Sequence, residues 1–234
     1  MLQITGLNAW YGASHILQGV DIEVRRGEIV CLVGRNGAGK TTTLRSVMGL
    51  AGRTTGSVTF DGTPLLGRPA HIRNGLGLGY VPEERRIVAG LTVRDNIRLG
   101  LLAAQVKRPE REVIDEVAGI FPRLAERLDQ MAVTMSGGEQ QMLAIARATV
   151  SRPKLIMLDE PSEGIMPVLV DEMMALFTAM RAQGTTLLLV EQNVELALGI
   201  ADRAYIMDGG TIVYQAPASA LLADEVLKER YCSV

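Results

Sequence analysis

Eight consecutive residues near the start of the chain have the types and spacing of a phosphate-binding loop. They run from Gly34 to Thr41 and fit the spacing G-x-x-x-x-G-K-[ST]. Glycines let the backbone turn tightly and point its N–H groups inward, where they suit the phosphates of a nucleotide. An apolar run at 29–33 precedes the loop and a helix-compatible segment, Thr41 to Met48, follows it, so the predicted context is strand, loop and helix. The competing interpretation is a glycine-rich turn before an ordinary helix.

Two side chains of this loop carry specific expectations. Lys40 is expected to place a compact positive charge on the β- and γ-phosphates of a nucleoside triphosphate. The hydroxyl group of Thr41 is expected to bind Mg²⁺. Together they predict that the loop holds a triphosphate with its metal ion.

An acidic pair, Asp159-Glu160, directly follows the apolar run 155–158. Such a run is typical of a strand buried in a parallel sheet, and ligands of these sheets gather outside the carboxyl ends of the strands. Asp159 is expected to hold Mg²⁺, in part through water. Glu160 is expected to face the γ-phosphate, where it can orient and polarise an attacking water. The alternative is a pair of solvated carboxylates in a loop.

Composition limits the class of protein. The chain has 234 residues, 47% hydrophobic and 21% charged, with a formal net charge of −2, which is typical of an ordinary globular protein. No basic patch is long enough to predict nucleic acid as a partner, and Arg85-Arg86 is interpreted as a solvated pair. Cys31 and Cys232 form no metal or redox motif, which favours a reduced, cytosolic compartment.

Neither a membrane span nor a signal peptide is expected. No apolar run approaches the roughly 20 residues that cross a bilayer. The first residues lack a charged leader followed by an apolar segment.

Hydrophobic periodicity predicts alternating strands and helices, and hence a parallel sheet with helices on its faces. From Thr92 to about Leu128 the period is helical, which indicates a helical insertion. Thr92 is predicted to cap a helix together with Asp95, and Pro109 to open another at its first turn. The predicted strands are 2–9, 16–24, 28–33, 56–60, 77–81, 155–158, 185–190, 203–208 and 211–215. Helices are predicted at 69–74, 138–150, 167–182 and 193–200, with two short ones at the end.

The segment Ser136-Gly137-Gly138-Glu139-Gln140-Gln141 selects among nucleotide-binding families. Ser136 can cap the following helix, and the two glycines expose backbone N–H groups to a phosphate. The segment resembles the L-S-G-G-Q signature of ABC-type ATPases, and the resemblance covers essentially the whole chain. In that family the signature of one subunit closes over the ATP held by the phosphate loop of another, so two ATP molecules lie in a head-to-tail dimer.

The resemblance implies a fold and a division of the chain. The fold is an α/β P-loop NTPase (RecA-like) core with a mostly parallel sheet, an N-terminal antiparallel β subdomain and an inserted α-helical subdomain. Residues 1–82 and 151–234 form the nucleotide-binding core with the β subdomain, and residues 83–150 form the helical signature subdomain. The whole chain is one ATPase domain.

The resemblance also implies the site. Tyr11 lies where the family stacks an aromatic ring on adenine; a core tyrosine is the competing interpretation, and Trp10 is a rival for the stacking role. The implied Mg²⁺ ligands are Thr41 and Asp159, with Glu83 as a further candidate that contacts either the metal or only the partner subunit. The implied ATP contacts are Tyr11, Gly34, Arg35, Asn36, Gly37, Ala38, Gly39, Lys40, Thr41 and Thr42, and in trans Ser136, Gly137, Gly138 and Glu139.

Departures from the broad family pattern affect the expected mechanism. Glu83 replaces the usual loop glutamine, Gln192 replaces the usual switch histidine, and the dimer-contact loop reads Glu163 to Met166. The signature itself begins with Met135 and has glutamate in place of its usual glutamine. Glutamine can donate a hydrogen bond to the γ-phosphate but cannot take a proton as imidazole does. Glu160 is therefore the expected catalytic base, and Gln192 is expected to sense the γ-phosphate.

The same departures indicate a subgroup. The motifs V-P-E-x-R-R, M-S-G-G-E-Q-Q, D-E-P-S-x-G and L-V-E-Q-N together resemble the ATPase subunits of bacterial branched-chain amino-acid uptake systems, with urea and amide importers as close relatives. The implied partners are a second ATPase, identical or a sister subunit, integral-membrane permease subunits and, indirectly, a periplasmic solute-binding protein. The implied location is cytoplasmic, on the inner face of the cell membrane. Residues 87–91 are candidates for the permease contact, with burial in the chain's own core as the alternative.

Two other classes of function remain as alternatives. A soluble ABC ATPase acting on DNA or ribosomes typically has two cassettes, long coiled coils or basic linkers, and this chain has none of them. A small P-loop kinase is disfavoured by the S-G-G-E-Q-Q segment and by the lack of a recognisable acceptor site.

Overall fold

The apolar runs and alternating segments form two β-sheets flanked by helices in the computed structural model, which describes residues 1–103 and 107–232. The strands are β1 (Leu2–Tyr11), β2 (Ser14–Val24), β3 (Ile29–Val33), β4 (Arg53–Phe60), β5 (Thr63–Pro64), β6 (Leu78–Val81), β7 (Leu155–Asp159), β8 (Thr186–Glu191), β9 (Arg203–Asp208) and β10 (Thr211–Pro217). The helices are α1 (Lys40–Met48), α2 (Ala70–Gly75), α3 (Val93–Ala103), α4 (Glu110–Ile120), α5 (Pro122–Ala125), α6 (Gly137–Thr149), α7 (Pro167–Ala182), α8 (Val194–Ile200), α9 (Ala218–Leu222) and α10 (Glu225–Cys232).

The N-terminal strands form a four-stranded antiparallel sheet in the order β2-β1-β4-β5. Strand β4 starts earlier than the predicted Gly56, because Arg53 already pairs with Trp10 of β1. Asp61 and Gly62 form the turn that joins β4 to β5.

The second sheet has six strands in the order β10-β9-β3-β8-β7-β6, and all are parallel except β10. The position of β3 between two cores explains why its sequence is apolar throughout. Ile29, Cys31 and Val33 face a core that contains the helical layer, whereas Val30 and Leu32 face a second core shared with the antiparallel sheet. A strand covered on both faces favours apolar side chains along its whole length.

Helices α3 to α6 connect the carboxyl end of β6 to β7. Thr92 and Asp95 cap α3 as predicted, with the Asp95 N–H donating to the Thr92 hydroxyl at 3.1 Å. Pro109 lies at the N-cap of α4, one position before the predicted first turn. Of the apolar residues proposed for a permease contact, Val88 is 41% exposed, whereas Ile87 packs partly buried against the core.

None of the helices in the described ranges combines the length and the apolar character needed to span a bilayer.

Candidate functional site

The carboxyl ends of four adjacent parallel strands meet at one edge of the six-stranded sheet. Their register aligns Val33 with Glu191, Val190 with Asp159, and Leu158 with Val81. The residues that follow these strands therefore lie side by side although they are distant in sequence. This is the edge at which open parallel sheets place their ligands.

The phosphate loop connects β3 to α1, and its first glycine cannot be replaced without a clash. Gly34 has φ of 151°, and a Cβ there would lie 2.1 Å from the carbonyl oxygen of Met207. The loop is closed by the Ala38 N–H donating to the Arg35 carbonyl at 3.1 Å. Glycine is thus required by close packing against β9.

Lys40 is the first residue of α1, and its side chain is 3% exposed. Its ammonium group donates to the carbonyl oxygens of Gly34 at 2.8 Å and Arg35 at 3.2 Å, and it lies 3.2 Å from Oε1 of Glu160. A buried ammonium group needs anionic or carbonyl partners. Here the Glu160 carboxylate supplies the negative charge.

Thr41 and Asp159 are brought together as the sequence predicts. The Thr41 hydroxyl donates to Oδ1 of Asp159 at 2.9 Å, and the Tyr80 hydroxyl donates to Oδ2 at 3.1 Å. Burial raises the pKa of Asp159 above its ordinary value, and these two hydrogen bonds oppose that rise. Tyr80 was not expected from the sequence, although its position at the end of β6 beside β7 is a recognisable signal.

Three glutamates line the same cleft, which has a volume of about 430 Å³. Glu160 has φ of 46°, a conformation that costs a non-glycine residue about 1–3 kcal/mol and persists only where surrounding contacts impose it. Burial raises the pKa of Glu83, and the nearby Glu163 and Glu160 carboxylates raise it further. The cleft is lined by Tyr11, Ile16, Asn36, Gly37, Gly39, Lys40, Thr41, Thr42, Glu83, Glu160 and Glu163.

Asp159 is buried directly behind Thr41, which lines the cleft, and the oxygen atoms of this pair suit a hard divalent cation. A hydroxyl group, Thr41, and a carboxylate, Asp159, are the kinds of ligand with which Mg²⁺ is bound when phosphates and water complete its octahedron. Within residues 1–103 and 107–232, no group of three or more His, Cys, Asp and Glu side chains forms a metal site. The Thr41 hydroxyl and the Asp159 carboxylate fit an ion that a triphosphate brings with it.

Glu191, which was not expected from the sequence, is buried beside this cleft. It is 2% exposed, and burial raises its pKa to about 6. Its Oε1 accepts a hydrogen bond from the Ser162 N–H at 3.0 Å. A carboxylate at the carboxyl end of an apolar strand is the same signal that identified Asp159. Gln192, the predicted sensor, directly follows it after β8.

The signature segment begins α6 with a capping box. The Ser136 hydroxyl accepts from the Glu139 N–H, and the Glu139 carboxylate accepts from the Ser136 N–H at 2.9 Å. Glu139 also pairs with Arg127 at 3.3 Å. Gly138 is required by packing, because a Cβ there would lie 2.3 Å from Cδ1 of Leu169. Ser136 to Glu139 do not line the cleft at the phosphate loop.

The structure distinguishes the two aromatic candidates for base stacking. The Trp10 ring has both faces covered. It stacks on the His15 ring with centroids 4.4 Å apart, and the guanidinium group of Arg53 lies 4.1 Å from its centroid in a cation–π contact. Tyr11 is 40% exposed and lines the cleft. Only Tyr11 of these two offers a free ring at the site.

Comparisons with known proteins agree with this arrangement. A family model described as ABC transporter matches residues 17–163. The chain is 42% identical over 231 residues to the high-affinity branched-chain amino acid transport ATP-binding protein BraG of Pseudomonas aeruginosa, covering 99% of each. It is 37% identical over 236 residues to the probable branched-chain amino acid transport ATP-binding protein LivF of Archaeoglobus fulgidus, covering 99% of this chain and 98% of that protein.

A solved structure of the ATP binding subunit of an ABC transporter superposes with a TM-score of 0.84 at 27% identity, covering 98% of this chain and 97% of that one. This likeness, with one antiparallel and one mostly parallel sheet, confirms the predicted α/β P-loop fold class. Because the family model spans most of the chain and relatives match it nearly end to end, the chain belongs to the ABC transporter family of ATP-binding proteins.

Proposed function

We propose that this chain is the ATP-binding and ATP-hydrolysing subunit of an importer for branched-chain amino acids. The observation that supports it most is that the phosphate loop, Lys40, Thr41 and Glu160 line one cleft, with Asp159 hydrogen-bonded to Thr41 directly behind it. The amino-acid substrate class rests on the likeness to BraG and LivF over nearly the full chain.

Binding of ATP begins with a change of partner at Lys40. The triphosphate carries more negative charge than one carboxylate, so its β- and γ-oxygens compete with Glu160 for the ammonium group. The backbone N–H groups of the loop and the start of α1 receive the remaining phosphate oxygens. In this scheme, phosphate binding releases Glu160 from its 3.2 Å ion pair and makes it available to water.

Hydrolysis requires a base beside the γ-phosphate, and we assign that role to Glu160. Its carboxylate takes a proton from water while the water oxygen forms a bond to the γ-phosphorus. The bond from that phosphorus to the bridging oxygen breaks, which leaves ADP and inorganic phosphate. Gln192 donates a hydrogen bond to the γ-phosphate but takes no proton.

Mg²⁺ bound by Thr41 and Asp159 would supply positive charge against the phosphate oxygens. Glu83, which lies among other carboxylates, is the further candidate ligand or a contact to the partner subunit. The Ser136–Glu139 segment contributes to the nucleotide of a second subunit, with Glu139 acting through the capping box.

The proposal includes partners and a division of the chain. Two such ATPase subunits, identical or sister chains, close over two ATP molecules on the cytoplasmic face of the membrane. Residues 83–150 act as the helical signature subdomain that contacts permease subunits, while residues 1–82 and 151–234 act as the nucleotide-binding core. A periplasmic binding protein delivers the solute to the permease.

Tyr11 is expected to carry the stacking contact to adenine. Tyr11→Ala should weaken ATP binding roughly 5- to 150-fold, since stacking on one base contributes about 1–3 kcal/mol. Tyr11→Phe should retain most of the affinity because the ring remains. Titration calorimetry with ATP measures the effect, and Trp10→Ala is the matched control, since both faces of that ring are covered. Equal or greater weakening by Trp10→Ala would contradict the assignment of the stacking contact to Tyr11.

The proposed function is tested with the chain co-purified with its permease subunits and reconstituted in proteoliposomes. Leucine, isoleucine or valine with the binding protein should stimulate inorganic phosphate release several-fold, whereas urea and acetamide should not. If urea alone stimulates phosphate release, the transported substrate is urea and not a branched-chain amino acid. Phosphate transfer only in the presence of an added acceptor would instead indicate a kinase.

A further inference from the structure

Glu191 holds the loop that carries the proposed base. Its side chain is 2% exposed and points from the last position of β8 toward the segment after Asp159. There Oε1 accepts the Ser162 N–H at 3.0 Å. Pro161, between Glu160 and Ser162, has no N–H, so the backbone donors on either side of it are the amides of Glu160 and Ser162.

Those two amides bind neighbouring positions of the same strand. The Glu160 N–H donates to the Val190 carbonyl at 2.9 Å, and the Ser162 N–H donates to the Glu191 side chain. The turn is therefore attached to β8 on both sides of Pro161. This double attachment accounts for the left-handed backbone of Glu160, φ 46°, which the chain would not adopt without support.

The same strand end carries the proposed sensor, since Gln192 follows Glu191 directly. Val190 and Glu191 hold the Glu160 turn, and the next residue is Gln192. The base and the sensor thus share one rigid support at the end of a central, fully buried strand. A shift of this support would move both groups relative to a γ-phosphate.

We propose that Glu191 is a positioning residue for ATP hydrolysis, which sets Glu160 relative to Gln192 through its hydrogen bond to Ser162 and does not touch the nucleotide. This rests on the proposed function. A misplacement of about 1 Å in a catalytic group can cost on the order of 100-fold in rate. The interaction should therefore affect turnover far more than ATP affinity.

The kinetic test compares Glu191→Ala, which removes the acceptor, with Glu191→Gln, which keeps an oxygen that can accept from Ser162. For Glu191→Ala we expect kcat for phosphate release to fall roughly 10- to 100-fold with KM for ATP within about twofold. Glu191→Gln should recover most of kcat. The control is Glu195→Ala, an exposed glutamate on α8 whose side chain is 79% exposed, and it should change neither parameter.

A second measurement does not depend on catalysis. Hydrogen exchange of the Glu160 and Ser162 amides should be faster by about tenfold or more in Glu191→Ala, while exchange in β9 stays unchanged, and Glu191→Gln should restore protection. Unchanged exchange at these amides overturns the proposal. Absence of ATP hydrolysis by the wild-type chain would contradict only the proposed function, because the exchange measurement does not depend on hydrolysis. If Glu191→Ala does not fold, Glu191→Asp replaces it, and a wild-type kcat in that shortened variant also overturns the proposal.

Discussion

Glu160→Gln is expected to lower ATP hydrolysis about 10²- to 10⁴-fold while ATP binding is retained. The substitution keeps the size of the side chain and an oxygen that can accept from Lys40, 3.2 Å away in the present structure. It removes only the ability to take a proton from water. With hydrolysis blocked, ATP should remain between two subunits and hold them together.

The measurements are single-turnover phosphate release and size-exclusion chromatography with and without ATP. An ATP-dependent dimer should accumulate in Glu160→Gln and not in the wild-type chain. Gln192→Ala should lower turnover without abolishing ATP binding, because an amide donor is lost and the base remains. Glu172→Gln, at an exposed ion pair with Arg123, serves as the matched control. A wild-type rate of hydrolysis in Glu160→Gln would show that Glu160 is not the base.

Lys40→Ala is expected to lower the affinity for ATP strongly. Truncating one partner of a buried, hydrogen-bonded charge pair costs about 2–5 kcal/mol, which corresponds to a dissociation constant raised roughly 30-fold or more. Lys40 meets this description, since its side chain is 3% exposed and no second lysine lines the cleft among the described residues. Titration calorimetry with ATP gives the affinity directly.

The same substitution should also destabilise the fold, by about 1–3 kcal/mol, because the Glu160 carboxylate, 11% exposed, loses its cation. The double variant Lys40→Ala/Glu160→Gln separates the two effects. It should regain stability in urea unfolding, since no charge is left unpaired, yet still fail to bind ATP. Lys154→Ala, an exposed lysine paired with Asp61, is the control and should bind ATP normally. Recovery of ATP binding in the double variant would mean that Lys40 does not contact the phosphates.

Much of the fold follows from local patterns in the sequence. The apolar run 29–33 predicts a strand covered on both faces, and β3 indeed borders two separate cores. Thr92 with Asp95, and Ser136 with Glu139, cap helices through bonds between residues three apart. Residues three positions apart are brought together by the local backbone alone, so these contacts can be predicted from the sequence.

The details of the site depend on contacts that sequence spacing does not encode. Glu191 and Ser162 are 29 positions apart, and Tyr80 and Asp159 are 79 apart. Their contacts exist only because β6, β7 and β8 are neighbours in the sheet. The same holds for Trp10, which Arg53 covers only because β4 pairs with β1.

The phosphate loop, the acidic pair and the signature segment were therefore determined by the sequence alone, because spacing along the backbone defines each of them. Tertiary structure decided that Lys40 pairs with Glu160, that Tyr11 and not Trp10 offers a free ring, and that Glu191 supports the turn at Glu160. The physical reason is that strand order and register, which burial of both sheet faces selects, bring these distant residues to one edge.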